Sequence, residues 1–221
     1  MTLSLLFDLD GTLMETFELI LPAMNQAMEE FGVRPLAASE LRPMIGMPVQ
    51  RQLDQLRGVS GPVVDRITDR YYELFSAAVD RGVRLFPGVA LTLSNLAKGR
   101  AIGTMTTRRR LEAQHMLRVT GIDSYFRAVV GGDDAPRPKP YPDLPRIAAE
   151  SIGTTPERCV VVGDSPVDIL AGRAARAWTV AAIYGYGSPE AIRKAKPHAE
   201  IATFPEIETV LADVEAREGS A

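Results

Sequence analysis

Hydrophobic positions in the first third of the chain fall into one short run followed by a long helical period. Residues 3–7 form an apolar run that stops at Asp8, Leu9, Asp10, Gly11 and Thr12. That is the pattern of a buried strand whose carboxyl end opens into a polar turn. Over 15–34, apolar residues at Leu19, Ile20, Ala23, Ala27, Met28 and Phe31 recur at helical spacing until Gly32 stops the run, which predicts an amphipathic helix. No alternating strand follows Gly11, so a simple hairpin turn at Asp10 and Gly11 does not fit. Residues 36–85 keep a helical pattern, broken at Pro43, Gly46, Pro48 and over 58–62, and no strand is expected there.

From Phe86, Pro87 and Gly88 onward the pattern changes. Apolar runs at 101–106, 128–130, 159–162, 179–183 and, more weakly, 200–202 alternate with helical stretches near 89–98, 109–119, 144–152, 166–175 and 205–214. A parallel βαβ sheet requires this alternation. The fold class is therefore α/β, a doubly wound, Rossmann-like parallel sheet with an all-helical insertion after the first strand. The expected division is a core of residues 1–14 and 86–221 and a helical cap of 15–85. Residues 215–221 read as a frayed tail.

With 221 residues, 46% of them hydrophobic, the chain can bury roughly 70% of its unfolded surface. Lys and Arg number 25 against 28 Asp and Glu, which leaves no basic footprint for nucleic acid. Cys159, His115 and His198 are too few for a Cys/His zinc site or an internal disulfide; with Trp178 they read as packing or surface residues. The amino terminus lacks a basic leader pattern, and no apolar stretch reaches the roughly 18 residues of a membrane helix. The expectation is a cytoplasmic monomer or homodimer, without nucleic-acid or membrane partners, working through carboxylates, hydroxyls and lysine.

In open parallel sheets, ligands bind beyond the carboxyl ends of the strands. Asp8 and Asp10 stand at one such end, where two close carboxylates raise each other's proton affinity unless a cation intervenes. Asp164 and Asp168 bracket a strand-to-helix transition; Asp168 falls in the first helical turn, where capping is an alternative role. Asp8 and Asp164 offer hard oxygen ligands, a set that selects Mg²⁺ among common divalent ions. Lys139 lies in a segment stiffened by Pro136, Pro138, Pro140 and Pro142; it is either a point charge for a phosphate oxygen or a solvated loop residue. Thr106, at a strand end, either donates its hydroxyl to the same oxygen or is an ordinary strand threonine. Arg108, Arg109 and Arg110 read as a solvated helix start, although cations there oppose the helix dipole. Gly185, Tyr186 and Gly187 form half of a dinucleotide fingerprint without its other parts, and read as a turn.

These motifs, in this order, resemble the haloacid dehalogenase superfamily, most closely its phosphoglycolate phosphatase-like branch with a helical cap after the first motif. The matching stretches are Asp8 to Thr12 (Asp-x-Asp-Gly-Thr), Thr106, Lys139 before Pro140, and Gly163 to Asp168 (Gly-Asp-x-x-x-Asp). The resemblance implies that Asp8 is the nucleophile, that Asp10 is the general acid and base, and that Thr106 and Lys139 hold the phosphate. It places Mg²⁺ on Asp8, the Asp10 carbonyl and Asp164, with Asp168 in support. It puts Gly11, Thr12, Thr107, Arg108, Glu15 and the cap residue Arg42 around the substrate. Arg42 would pair with a substrate carboxylate there, or be a surface residue. Glu15 stands where the family commonly has Asp, and Thr107 and Arg108 where it has Asn and then Lys or Ser. The implied activity is Mg²⁺-dependent hydrolysis of a small phosphorylated metabolite, 2-phosphoglycolate first. A phosphomutase of the β-phosphoglucomutase kind, a pyrophosphatase or nucleotidase, and a receiver-like signalling module are the alternatives. A phosphonatase is excluded, since no lysine precedes Lys98 to form a cap Schiff base.

Overall fold

The computed structural model describes residues 2–218, with side chains to residue 216. Its strands are β1 (Ser4–Phe7), β2 (Met14–Glu15), β3 (Arg84–Leu85), β4 (Ile102–Thr104), β5 (Cys159–Gly163), β6 (Trp178–Ala182) and β7 (Ala199–Ile201). Its helices are α1 (Phe17–Glu30), α2 (Ala38–Leu41), α3 (Val49–Arg57), α4 (Pro62–Val79), α5 (Val89–Leu96), α6 (Arg110–Val119), α7 (Asp143–Ser151), α8 (Pro166–Ala174), α9 (Pro189–Lys194) and α10 (Ile207–Glu218). Among the described residues no helix is long and apolar enough to cross a membrane.

Five parallel strands form the main sheet in the order β4-β1-β5-β6-β7. All five residues of β5, Cys-Val-Val-Val-Gly, are buried, as a strand covered on both faces requires. Because β1 lies between β4 and β5, the chain that leaves Phe7 emerges inside the sheet's carboxyl edge, beside the central strand β5. The helical insertion is held by an apolar seam: Ile20, Met24, Ala27 and Met28 of α1 are buried with Ile67, Tyr71 and Phe75 of α4 in one cluster. Each large side chain so buried contributes about 1.5–3 kcal/mol. Gly58, left-handed at φ 65°, closes α3, and Pro62 opens α4 at a position where its missing N–H costs nothing.

The structure corrects the sequence reading at four places. Two strands border the insertion where none was expected: Met14 pairs with Leu85 and Glu15 with Arg84, antiparallel. A ladder of two residues is too short to leave any periodicity. Residues 128–130 do not form a strand; they run beside β4 through one isolated bridge, Gly103 to Ala128. There the Thr104 hydroxyl accepts from Val130 N–H at 2.8 Å and donates to Val130 O at 3.0 Å, taking over part of the ladder. The helix expected over 15–34 is confined to Phe17–Glu30. The tail expected from residue 215 is helical to Glu218, and Glu215 is anchored by an ion pair with Arg100 and by Leu3 N–H at 2.7 Å; residues 219–221 lie outside the described chain. Cys159 is buried and free, and Trp178 packs edge-on against His198 at 4.9 Å, as packing residues do.

Thr104→Val keeps the shape of the side chain but strands the Val130 N–H, while Val130 O keeps the Thr106 N–H at 3.3 Å. A loss of about 1–3 kcal/mol is expected in urea unfolding. An unchanged midpoint would show that the hydroxyl does not hold this edge.

Candidate active site

Each strand end at the carboxyl edge of the sheet delivers a polar side chain, and the turns after β1, β5 and β6 interlock. Asp8 follows β1 and fixes its backbone by donating N–H to Val162 O of β5 at 3.0 Å. Gly11 then takes φ +78°, and a Cβ there would stand 2.1 Å from Asp164 Oδ2. Only glycine lets the first turn come so close to the carboxylate that follows β5. Thr12 Oγ1 donates to Asp164 Oδ1 at 3.3 Å, and Tyr186 N–H donates to Asp164 Oδ2 at 2.7 Å. Gly11 and Thr12, expected around the substrate, therefore position Asp164.

Asp168 divides its carboxylate between two tasks. Oδ2 accepts from the N–H and hydroxyl of Ser165, which closes the first turn of α8, while Oδ1 lies 2.5 Å from Lys139 Nζ. Capping and ion pairing are both present. Lys139 Nζ also stands 3.1 Å from Asp8 Oδ1, and its side chain is wholly buried, so it is no solvated loop lysine. Thr106, buried two residues past β4, accepts from Arg108 N–H at 3.2 Å, which leaves its own proton available to a ligand. Single ligand atoms of Asp8, Asp164 and Asp168 all lie within 4.8 Å of one another.

The electrostatics follow from burying three carboxylates around one ammonium. Burial, reinforced by Asp168 and Asp10, pushes Asp8 up to about 7 against the pull of Lys139. Burial, with Asp168 and Asp8, also drives Asp164 well above the usual carboxylate range. Burial opposes the charge of Lys139, but Asp168 and Asp8 outweigh it and raise its affinity for the proton. The cluster thus holds three carboxylates against one ammonium, more acid than it can ionise without a further cation, and Asp8 Oδ1 lacks a well-aligned hydrogen-bond donor. An all-oxygen donor set short of positive charge fits a hard divalent cation such as Mg²⁺.

Asp10 faces the other way. Its carboxylate accepts from Arg108 Nε and Nη2, each at 2.8 Å, and from the Thr16 hydroxyl at 2.5 Å. Burial alone would raise Asp10, but Arg108 and Thr16 outweigh it and hold the carboxyl below its ordinary value. Arg108 is 5% exposed; it also donates from Nη1 to Tyr71 OH at 2.9 Å and stacks on the Phe75 ring at 3.7 Å. This corrects the reading of 108–110 as a solvated helix start for Arg108 alone; Arg109 and Arg110 keep exposed side chains at the start of α6. Arg109 pairs with Asp69 and Arg110 with Asp134, so acids offset the cations that begin α6.

Asp10, Arg108 and Thr107 line a cavity of about 30 Å³ with residues of α1, α3 and α4. It shares Pro48, Val49, Tyr72 and Thr107 with an outer groove of about 190 Å³. Glu15 and Arg42 are not brought to this cavity. They line a separate hollow of about 170 Å³, where the Arg42 guanidinium lies 4.1 Å over the Phe17 ring.

Two contributors escaped the sequence reading. The turn of Gly185, Tyr186 and Gly187 reaches back into the site: a Cβ on Gly185 would stand 2.3 Å from Asp164 Cβ. The Tyr186 hydroxyl accepts from Thr16 N–H at 2.6 Å and Phe17 N–H at 3.0 Å. Thr16 itself was the second, and it carries no motif signal; for Tyr186 the only signal was the pair of flanking glycines.

A family model described as haloacid dehalogenase-like hydrolase matches residues 5–182. Pyrophosphatase PpaX of Bacillus velezensis is 32% identical over 184 residues, covering 80% of this chain and 84% of the relative. Phosphoglycolate phosphatase of Escherichia coli is 32% identical over 218 residues, covering 86% and 85%. Among solved structures, CbbY from Rhodobacter sphaeroides in complex with phosphate superposes with a TM-score of 0.83 at 25% identity, covering 94% of this chain and 96% of that one.

Asp8 is raised from 3.8 to about 7, so the stability it lends the metal-free fold is present in acid and lost as pH rises through about 7; Asp164 acts in the same sense. A cation that neutralises both should stabilise more as they ionise. The rise in Tm caused by Mg²⁺ over chelator is expected to be larger at about pH 8 than at about pH 5, and an equal rise would contradict this charge assignment. Gly185→Ala should displace Asp164 and cut the apparent Mg²⁺ affinity by about 10–100-fold in the same titration. Wild-type affinity in that variant would mean that the close approach is not needed.

Proposed function

Because the chain belongs to the haloacid dehalogenase-like hydrolase family, we propose that it is a Mg²⁺-dependent phosphatase that hydrolyses a small phosphomonoester through an aspartyl-phosphate on Asp8. The observation that carries this reading is the convergence of Asp8, Asp164 and Asp168 oxygens within 4.8 Å beside the buried Lys139.

In this reading the Asp8 carboxylate attacks phosphorus in line while the bond to the leaving oxygen breaks, which splits hydrolysis into two easier displacements. Asp10, held ionised by Arg108 and Thr16 in this structure, takes up a proton from solvent once substrate parts it from Arg108, and gives that proton to the leaving oxygen. It then takes a proton from the water that cleaves the aspartyl-phosphate. Lys139 and the Thr106 hydroxyl balance the charge on the transferring phosphoryl oxygens. Asp8, Asp164 and the carbonyl of Asp10, with Asp168 in support, would hold Mg²⁺, whose charge lets an anionic nucleophile approach an anionic phosphate. Residues 15–85 act as a cap over a core of 1–14 and 86–221, with the β2–β3 ribbon as the joint between them. Arg108 pairs a core loop with Tyr71 and Phe75 of the cap, so closure excludes water from the reacting groups. The relatives' names make 2-phosphoglycolate and pyrophosphate the first substrates to assay.

Phosphate release from p-nitrophenyl phosphate should require Mg²⁺ and fall to background in Asp8→Asn. Asp10→Asn should lower kcat by about 10²–10⁴-fold while keeping the Mg²⁺-induced rise in Tm. Full turnover in either variant would remove that aspartate from its role, and stoichiometric labelling without turnover would instead favour a signalling module.

A further inference from the structure

Gln52 of α3 is 4% exposed and lines the inner cavity together with Asp10, Arg108 and Tyr71. Its Nε2 donates to Met44 O at 3.1 Å and to Met47 O at 2.8 Å. Two carbonyl acceptors take both amide hydrogens and fix the orientation of the group, since an oxygen turned toward them would be repelled. Oε1 is therefore directed away from them, and it is buried with no hydrogen-bond partner among the described residues. A buried acceptor without a donor is rare in folded proteins and marks a place where something else supplies the hydrogen.

The charge around that acceptor decides what the donor is. Asp10 and Arg108 are the ionised residues of the cavity wall, and they neutralise each other through two bonds of 2.8 Å. Ile20, Ile45, Met47, Val49 and Tyr72 supply apolar surface. A second anion on the substrate would meet no unbalanced positive charge here and would face the lone pairs of Gln52 Oε1. A hydroxyl can donate to Oε1, and its carbon frame fits the apolar walls; the outer groove of about 190 Å³ gives a longer frame room to extend. The volume of the inner cavity, about 30 Å³, matches an ordered water or the hydroxyl that replaces it.

Resting on the phosphatase reading above, we infer that Gln52 is a specificity-determining residue of the leaving-group subsite, and that the substrate is a phosphomonoester of a small, uncharged polyol or sugar. This ranks 2-phosphoglycolate, whose leaving group ends in a carboxylate, behind hydroxyl-bearing esters. Tyr71 and Arg108 frame the subsite on the Asp10 side, which places the hydroxyl on the part of the substrate that departs with the proton from Asp10.

The test compares sn-glycerol 3-phosphate, ethyl phosphate and 2-phosphoglycolate by phosphate release with Mg²⁺, using p-nitrophenyl phosphate to establish turnover. Wild type should favour glycerol 3-phosphate over both others by about tenfold or more in kcat/KM, because a site built around a hydroxyl rejects analogues that lack it. In Gln52→Met the ratio of glycerol 3-phosphate to ethyl phosphate should fall toward one; a ratio within one preparation does not depend on how much of the variant is folded. Calorimetry on Asp8→Asn should show the same order in Kd without turnover. Preference for 2-phosphoglycolate in wild type, or a ratio that survives Gln52→Met, would overturn the assignment while leaving the phosphatase reading intact. Failure to release phosphate even from p-nitrophenyl phosphate would overturn the phosphatase reading, and equal Kd values in Asp8→Asn would then overturn the subsite as well.

Discussion

The structure is organised around one electrostatic conflict: Asp8, Asp164 and Asp168 are brought together in a buried site where Lys139 pairs directly with Asp8 and Asp168. Folding alone would not favour this, because burial and the neighbouring carboxylates hold Asp8 and Asp164 back from ionising. What makes the cluster possible is that it sits at one edge of an otherwise apolar sheet. The strands β1 and β5 are buried hydrophobic runs that hold their register through Leu5 to Val160 and Phe7 to Val162. The stability lent by that core sustains the unfavourable edge. Three buried carboxylates against one ammonium are a charge pattern that the chain does not balance by itself, and the proposed Mg²⁺ site rests on that shortfall.

The second aspartate of the first motif lives in a different electrostatic world only two residues away. Asp8 is raised by its neighbours, while Asp10 is lowered by Arg108. In an unbroken strand residues two apart share a face. Here β1 ends at Phe7 and the chain turns through Gly11 at φ +78°, and one side chain meets the carboxylate cluster while the other meets Arg108 beside the helical insertion. Two titratable groups pushed in opposite directions let one site keep two different protonation states side by side. Here the separation depends on Arg108, and Arg108 in turn depends on Tyr71 and Phe75 of α4. The environment of Asp10 is thus set partly by the insertion and partly by the sheet.

Much of this was legible in the residues. Asp8, Asp10, Lys139, Asp164 and Asp168 were readable because a parallel sheet sends its polar residues to one edge, and because long apolar runs such as 159–162 announce their strands. The ladder at Met14 and Glu15 was not readable, since two residues carry no period. The edge beside β4 was misread because Thr104 substitutes a side-chain bond for a backbone one, which no hydropathy pattern records. Arg108 was misread for a general reason: a lone arginine in a run of three looks solvated until the carboxylate, hydroxyl and ring that receive it are known, and those come from residues 10, 71 and 75. Gln52 gave no signal at all, because its meaning lies in one oxygen left without a donor.

Tyr186 shows how the separate pieces act as one. Its N–H holds Asp164 and its hydroxyl receives the N–H groups of Thr16 and Phe17 at the start of α1, while the neighbouring Tyr184 hydroxyl donates to Thr12 O at 2.7 Å. One turn after β6 therefore grips the carboxylate cluster, the first motif and the root of the helical insertion. The first N–H groups of a helix have no partners within it, and here a phenol oxygen satisfies them. Any pivot of α1 about the β2–β3 ribbon must work against those bonds, and the same tyrosine carries the displacement to Asp164. The position of the helical layer and the geometry of the acidic cluster are in this way mechanically linked through a single residue.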